Sequence, residues 1–197
     1  MKWNSKALPR KAALRGSFFE KMQPMKRIFF ALFKGLKYRA CLKNMASLKK
    51  ILDLTPEFLT QHNIEVLILD FDGVLSSHGE TLMHPESLAW LKAFAQQWGE
   101  ENIVVLSNKP TLLRIKAFHH EFPNIAFVQG VAKKPYPEGI LKAAALKKVP
   151  TKKCLLADDR VLTGMLACCL SGAKGLLITK PYKTISSARL LKLSFLV

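Results

Sequence analysis

Residues 67–75 read Leu-Ile-Leu-Asp-Phe-Asp-Gly-Val-Leu, and this stretch restricts the fold more than any other. Apolar on both faces, Val66–Asp70 suits a strand inside a parallel sheet that is covered on both sides. The carboxyl end of such a strand is where open α/β sheets place their ligand sites. Asp70 and Asp72 are two residues apart, so an extended strand end points both side chains the same way. Two like charges so close are costly unless a cation or a shared proton offsets them. Mg²⁺ beside a nucleophilic carboxylate accounts for the pair. A strand-end turn rich in Asp and Gly is the plainer reading of the same residues.

From about residue 51 the chain alternates. Strands are expected at Val66–Asp70, Ile103–Ser107, Ile125–Val128, Cys154–Ala157 and Leu176–Thr179. Helical patterns fill the gaps at Pro85–Gln97, Thr111–Phe118, Pro137–Lys147 and Leu162–Ser171. Strand–helix alternation implies right-handed βαβ units and an α/β fold, a three-layer αβα Rossmann-like domain with about five parallel strands. Residues 51–197 are assigned to that domain and residues 1–50 to a basic N-terminal extension.

Three further strands end in polar residues. Ser107-Asn108 follows Ile103–Leu106; either side chain also suits a helix N-cap. Ala132-Lys133-Lys134-Pro135 follows the third strand, where a lone Lys is ordinarily a solvated surface group. Asp158-Asp159-Arg160 ends the fourth, so an apolar strand again runs into carboxylates. The five histidines show no shared metal spacing on one helix face.

Asp70-Phe-Asp72-Gly73-Val74, followed in order by Ser107, Lys134 and Asp158-Asp159, resembles the haloacid dehalogenase (HAD) superfamily of phosphohydrolases. The resemblance implies that Asp70 attacks phosphorus and forms an aspartyl-phosphate, with Asp72 as general acid and base. It also implies that Ser107, Asn108 and Lys134 hold the phosphoryl group, Lys133 being the fallback lysine. Mg²⁺ would sit on Asp70, the backbone carbonyl of Asp72, and Asp159 or Asp158. One departure stands out: the acid many members carry five residues after Asp159 is Gly164 here. The acid at position 72 favours a phosphatase over a dehalogenase. The connections from Asp72 to Ser107 and from Ser107 to Lys134 have no room for a cap domain beside their helices. The helix start Thr55-Pro56-Glu57, Lys134-Pro135, and the ending Gly172…Leu177-Ile178-Thr179-Lys180-Pro181 resemble subclass IIIA, the phosphatidylglycerophosphate phosphatase-like branch. This resemblance spans residues 52–182 and implies a large or lipid phosphomonoester. A nucleic-acid or nucleotide phosphatase and a non-catalytic interaction protein of the same fold are the alternatives.

The net charge of +17 is very uneven. Residues 1–50 carry 14 Lys/Arg and one acid, Glu20, whereas residues 51–179 balance at 13 of each sign. Basic ends on a neutral body suit an anionic surface, lipid or nucleic acid. Within residues 25–43, Ile28, Phe29, Leu32, Phe33 and Leu36 share a helical face, with Phe30 and Arg39 off the pattern. Such a basic amphipathic helix fits a membrane interface; otherwise it packs its apolar face on the domain. Nucleic-acid binding is less favoured, because no aromatic–basic interleaving marks a strand-binding groove. Cys41, Cys154, Cys168 and Cys169 have no metal spacing, so reduced thiols and a cytoplasmic protein, peripheral on the inner face of a membrane, are expected. Organellar import through the basic N-terminus is the alternative.

Overall fold

The strand β2 (Val66–Leu69) is buried along its whole length and lies between β3 (Ile103–Leu106) and β5 (Cys154–Asp158). The structure, a computed structural model, describes residues 25–183. The basic residues expected to act at 1–24 and after 183 lie outside the described part. With β4 (Ala126–Val128), β6 (Lys174–Ile178) and β1 (Ala46–Leu48), the sheet has six strands in the order β1-β6-β5-β2-β3-β4. Every pairing is parallel. The register sets Leu69 opposite both Ala157 and Val105, so Asp70, Asp158 and Ser107 emerge together at the carboxyl edge.

Side chains alternate across the sheet. Leu67, Leu69, Val105 and Leu155 join one core with α4 (Pro85–Trp98) and α5 (Leu112–Glu121). Ile68, Val104, Leu106 and Leu156 join the other with α6 (Glu138–Leu146) and α7 (Leu166–Ser171). Helix starts follow local chemistry. Thr55 caps α3 (Pro56–Gln61), which has Pro at its first position, and Thr111 caps α5 by accepting from the Arg114 N–H. The two connections expected to lack a cap domain contain only the loop 70–84 with α4, and α5. Among the described residues there is no inserted domain.

Two differences from the sequence reading matter. The sheet takes in Ala46–Leu48, which fell inside the expected extension, so the strand count is six rather than five. The cysteines are not all reduced: Cys41 and Cys169 form a disulfide, while Cys154 and Cys168 are free and buried. That bond ties α2 (Arg39–Lys43) to α7. Ahead of α2, residues 25–37 form a helix, α1. It turns Ala31 and Gly35 inward and leaves Ile28, Phe29, Leu32, Phe33 and Leu36 at least half exposed. The alternative in which this apolar face packs on the domain is not what forms. Phe30, off the pattern in sequence, also meets the body, its ring tilted against that of Tyr136 at 4.7 Å.

Candidate active site

Asp70, Asp72, His78, Asn108, Lys109, Lys134, Arg160 and Thr163 line a cavity of about 80 Å³ at the carboxyl edge of the sheet. Asp70 is the first residue past β2 and is buried. Its Oδ1 accepts from the Phe71 N–H at 2.9 Å and faces Lys134 Nζ at 3.0 Å. Lys134 is itself buried and also pairs with Asp158, whereas Lys133 is exposed. Geometry therefore separates the two adjacent lysines that sequence left open.

The acids form a cluster. Asp70, Asp158 and Asp159 each present an oxygen within 4.8 Å of the others. Both oxygens of Asp158 are engaged, Oδ1 by the Arg160 N–H at 2.9 Å and Oδ2 by Lys134. Asp159 meets His78 through Oδ2 at 3.2 Å, while its buried Oδ1 has no hydrogen-bond partner among the described residues and faces Arg160 Nε at 3.8 Å. An orphaned carboxylate oxygen beside two further acids fits a divalent cation and is hard to reconcile with an empty apolar wall. Burial pushes the Asp70 carboxyl up to about 8, with Asp158 and Asp159 adding repulsion and Lys134 opposing. Asp159 is raised by burial and by Asp158. For Lys134, burial disfavours the ammonium, but Asp158 and Asp70 outweigh it and raise its pKa.

Gly164 has a local reason. A Cβ at that position would collide with the Asp158 carboxylate. Asp158 thus fills the space into which a side chain at 164 would point. Gly73 is constrained too: it sits at φ +88, and a side chain there would run into Asp159.

Asp72 is held away from the acid cluster. Arg114 grips it with two hydrogen bonds, Nη1 to Oδ2 and Nη2 to Oδ1, both 3.0 Å. The Gly79 N–H donates to Oδ1 at 3.0 Å and the Ser107 hydroxyl to Oδ2 at 3.4 Å. Although burial works against the charge, these donors hold the Asp72 carboxyl below its ordinary range. Its carboxylate is thus committed to Arg114, which leaves only the backbone carbonyl for any metal. Asn108, expected beside the substrate, also braces the lysine: its side-chain oxygen accepts from the Lys134 N–H at 2.8 Å.

Two residues of the site escaped the sequence reading. Arg114 is buried on α5, lies 4.3 Å over the Phe71 ring, and donates to the Glu80 and Lys109 carbonyls. A charge in line with Ile115 and Phe118 on the buried face of α5 is the signal that could have found it. His78, in the loop after the first motif, had no spacing to mark it.

The sequence profile of a family described as mitochondrial PGP phosphatase matches residues 27–183. No curated protein matches the chain. Among solved structures, an uncharacterised protein from Corynebacterium glutamicum is similar at 23% identity, covering 66% of this chain and 93% of its own, with a TM-score of 0.47. The cobalt-bound deoxy-D-mannose-octulosonate 8-phosphate phosphatase from Haemophilus influenzae is similar at 14% identity, over 67% and 87% of the two chains, with a TM-score of 0.47. A HAD-superfamily hydrolase from Geobacter sulfurreducens shows 16% identity over 67% and 97%, with a TM-score of 0.38.

Proposed function

Since the chain belongs to the mitochondrial PGP phosphatase family and is a phosphatase, we propose that it hydrolyses a lipid phosphomonoester, phosphatidylglycerophosphate, through an aspartyl-phosphate on Asp70. The observation that carries this reading is the Asp70 carboxylate, buried at the cavity with one oxygen on Lys134 and the other without a hydrogen bond among the described residues.

In the first step a carboxylate oxygen of Asp70 bonds to phosphorus in line with the ester oxygen, and the P–O bond to that oxygen breaks. The leaving oxygen takes a proton from Asp72, whose carboxylate, ionised at rest against Arg114, must first take that proton up from solvent. In the second step water attacks phosphorus and gives a proton to the Asp72 carboxylate. Phosphate departs and Asp70 is regenerated. Lys134 stabilises charge on the phosphoryl oxygens, joined by the Ser107 hydroxyl once it turns from Asp72 to the substrate. Asp70 and Asp159 would hold Mg²⁺ with the Asp72 carbonyl, Asp158 being reserved for Lys134. The ion supplies charge neutralisation of the transferring group.

The exposed apolar and basic surface of α1 supports peripheral attachment to an anionic membrane. Among the described residues no helix is long and apolar enough to cross one. The family's description as mitochondrial supports the organellar expectation rather than the cytoplasmic one.

The test is phosphate release from vesicle-borne phosphatidylglycerophosphate with Mg²⁺, alongside nucleotide and sugar phosphates. Preferred turnover of the lipid, lost in Asp70→Asn, is the expected result. Preferred turnover of a nucleotide would overturn the substrate assignment.

A further inference from the structure

Among the described residues, exposed large apolar side chains have an uneven distribution. Those outside α1 gather on the loops and helix starts around the catalytic cavity, apart from Leu141 and Leu146 on α6. Leu82 is 68% exposed, in the loop whose Glu80 carbonyl receives Arg114. Leu112 and Leu113 are 68% and 67% exposed, opening α5 just after the cavity residues Asn108 and Lys109. Val161 is 42% exposed and follows Arg160, which also lines the cavity. Three separate segments at the carboxyl edge thus each present a leucine or valine to solvent within a few residues of the site.

α1 belongs to the same region. Gly35 backs onto Leu162, whose methyl would lie 2.8 Å from a Cβ there, and Phe30 packs against Tyr136, two residues past Lys134. The helix is therefore docked on two of the loops that build the site. Its outward stripe, Phe29, Leu32, Phe33 and Leu36, is flanked by Lys26 and Lys37. Lys109 and Arg160 add cationic groups at the cavity itself. Apolar groups interleaved with cations match the boundary of an anionic bilayer, with acyl chains below and phosphates above.

Resting on the lipid-phosphatase reading above, we propose that the mouth of the catalytic cavity is itself a bilayer-docking face. Leu82, Leu112, Leu113 and Val161 insert beside α1, so that a phosphorylated headgroup reaches Asp70 while its acyl chains stay in the membrane. The occupant is an anionic lipid surface. A second copy of the chain on the same leucines is the competing arrangement.

The experiment compares the full chain with Leu82→Ser/Leu112→Ser/Leu113→Ser. Co-sedimentation uses phosphatidylcholine vesicles with and without phosphatidylglycerol, and turnover is followed on a soluble aryl phosphate. The variant is expected to bind the anionic vesicles about tenfold more weakly, with aryl phosphate turnover unchanged. As a direct reading of insertion, Leu113→Trp is expected to gain quenching by bromine-labelled acyl chains relative to the parent. Wild-type binding by the triple variant, or no added quenching in Leu113→Trp, would overturn the proposal. So would a stable oligomer without vesicles that the triple variant dissolves. Vesicle binding is measured on lipids that are not substrates, so a failure of the lipid-substrate reading appears separately, as inactivity on phosphatidylglycerophosphate.

Discussion

Arg114 spends a buried guanidinium on a single carboxylate, and the geometry is the two-pronged one that lysine cannot copy. Its role is to fix where the Asp72 oxygens sit relative to Asp70. Arg114→Lys is expected to lower kcat about 100-fold on an alkyl phosphate, whose leaving oxygen needs a proton, and far less on p-nitrophenyl phosphate. Equal losses on the two substrates would assign Arg114 a purely structural part. Gly164→Ala forces a methyl into the Asp158 carboxylate. It is expected to cost about 1–3 kcal/mol of stability, read from chemical denaturation, because the core there has no slack. Asp70, Ser107, Lys134 and Asp158-Asp159 were picked out in the sequence because they follow strands in the order that resembles the HAD motifs, and the structure brings them to one edge of the sheet. Arg114 and His78 were not, since their partners Asp72 and Asp159 are brought to them only by the chain's folding.

The strands were the most readable elements, because buried parallel strands leave continuous apolar runs that no helix here imitates. β1 was missed for the opposite reason. Ala46–Leu48 is a short edge strand, half open to solvent, in a segment of basic residues. The amphipathic helix was legible as a helix whose apolar face turns away from the domain, but the residues that dock it were not. Burial of Ala31, Gly35 and Phe30 against loops from elsewhere decides which face turns inward. The Cys41–Cys169 bond lay out of reach too, since a separation of 128 residues leaves no spacing pattern. Closing so long a loop is expected to stabilise the chain by about 2–5 kcal/mol. Cys41→Ser should therefore lower the denaturation midpoint and speed proteolysis within α1 and α2, checked by limited digestion. Thiol titration of the native protein should find no reactive group. Cys154 is pushed up to about 11 by burial, Cys168 is raised further in the same way, and both are enclosed.

Across the whole molecule, the acid cluster makes stability depend on pH and on the cation together. Without metal, folded Asp70 keeps its proton to about 8, whereas an unfolded Asp releases it near 3.9. Between those values the folded state binds more protons, so stability falls as pH rises from about 4 toward 8. A divalent cation competes with that proton, so the rise in Tm on adding Mg²⁺ should grow across the same window, measured by thermal melts at several pH values. A flat response to Mg²⁺ would contradict the metal assignment. Asp72 has the opposite sign. Its lowered carboxyl contributes stability above the unfolded value that is lost as pH falls through the folded one. Every step of the proposed reaction depends on Asp70 carrying the phosphoryl group. The most direct measurement is acid quenching during turnover of a radiolabelled phosphomonoester, followed by peptide mapping. Label on the peptide containing Asp70, released by hydroxylamine and absent in Asp70→Asn, is the predicted result. Turnover without label on that peptide, or undiminished phosphate release by Asp70→Asn, would contradict it.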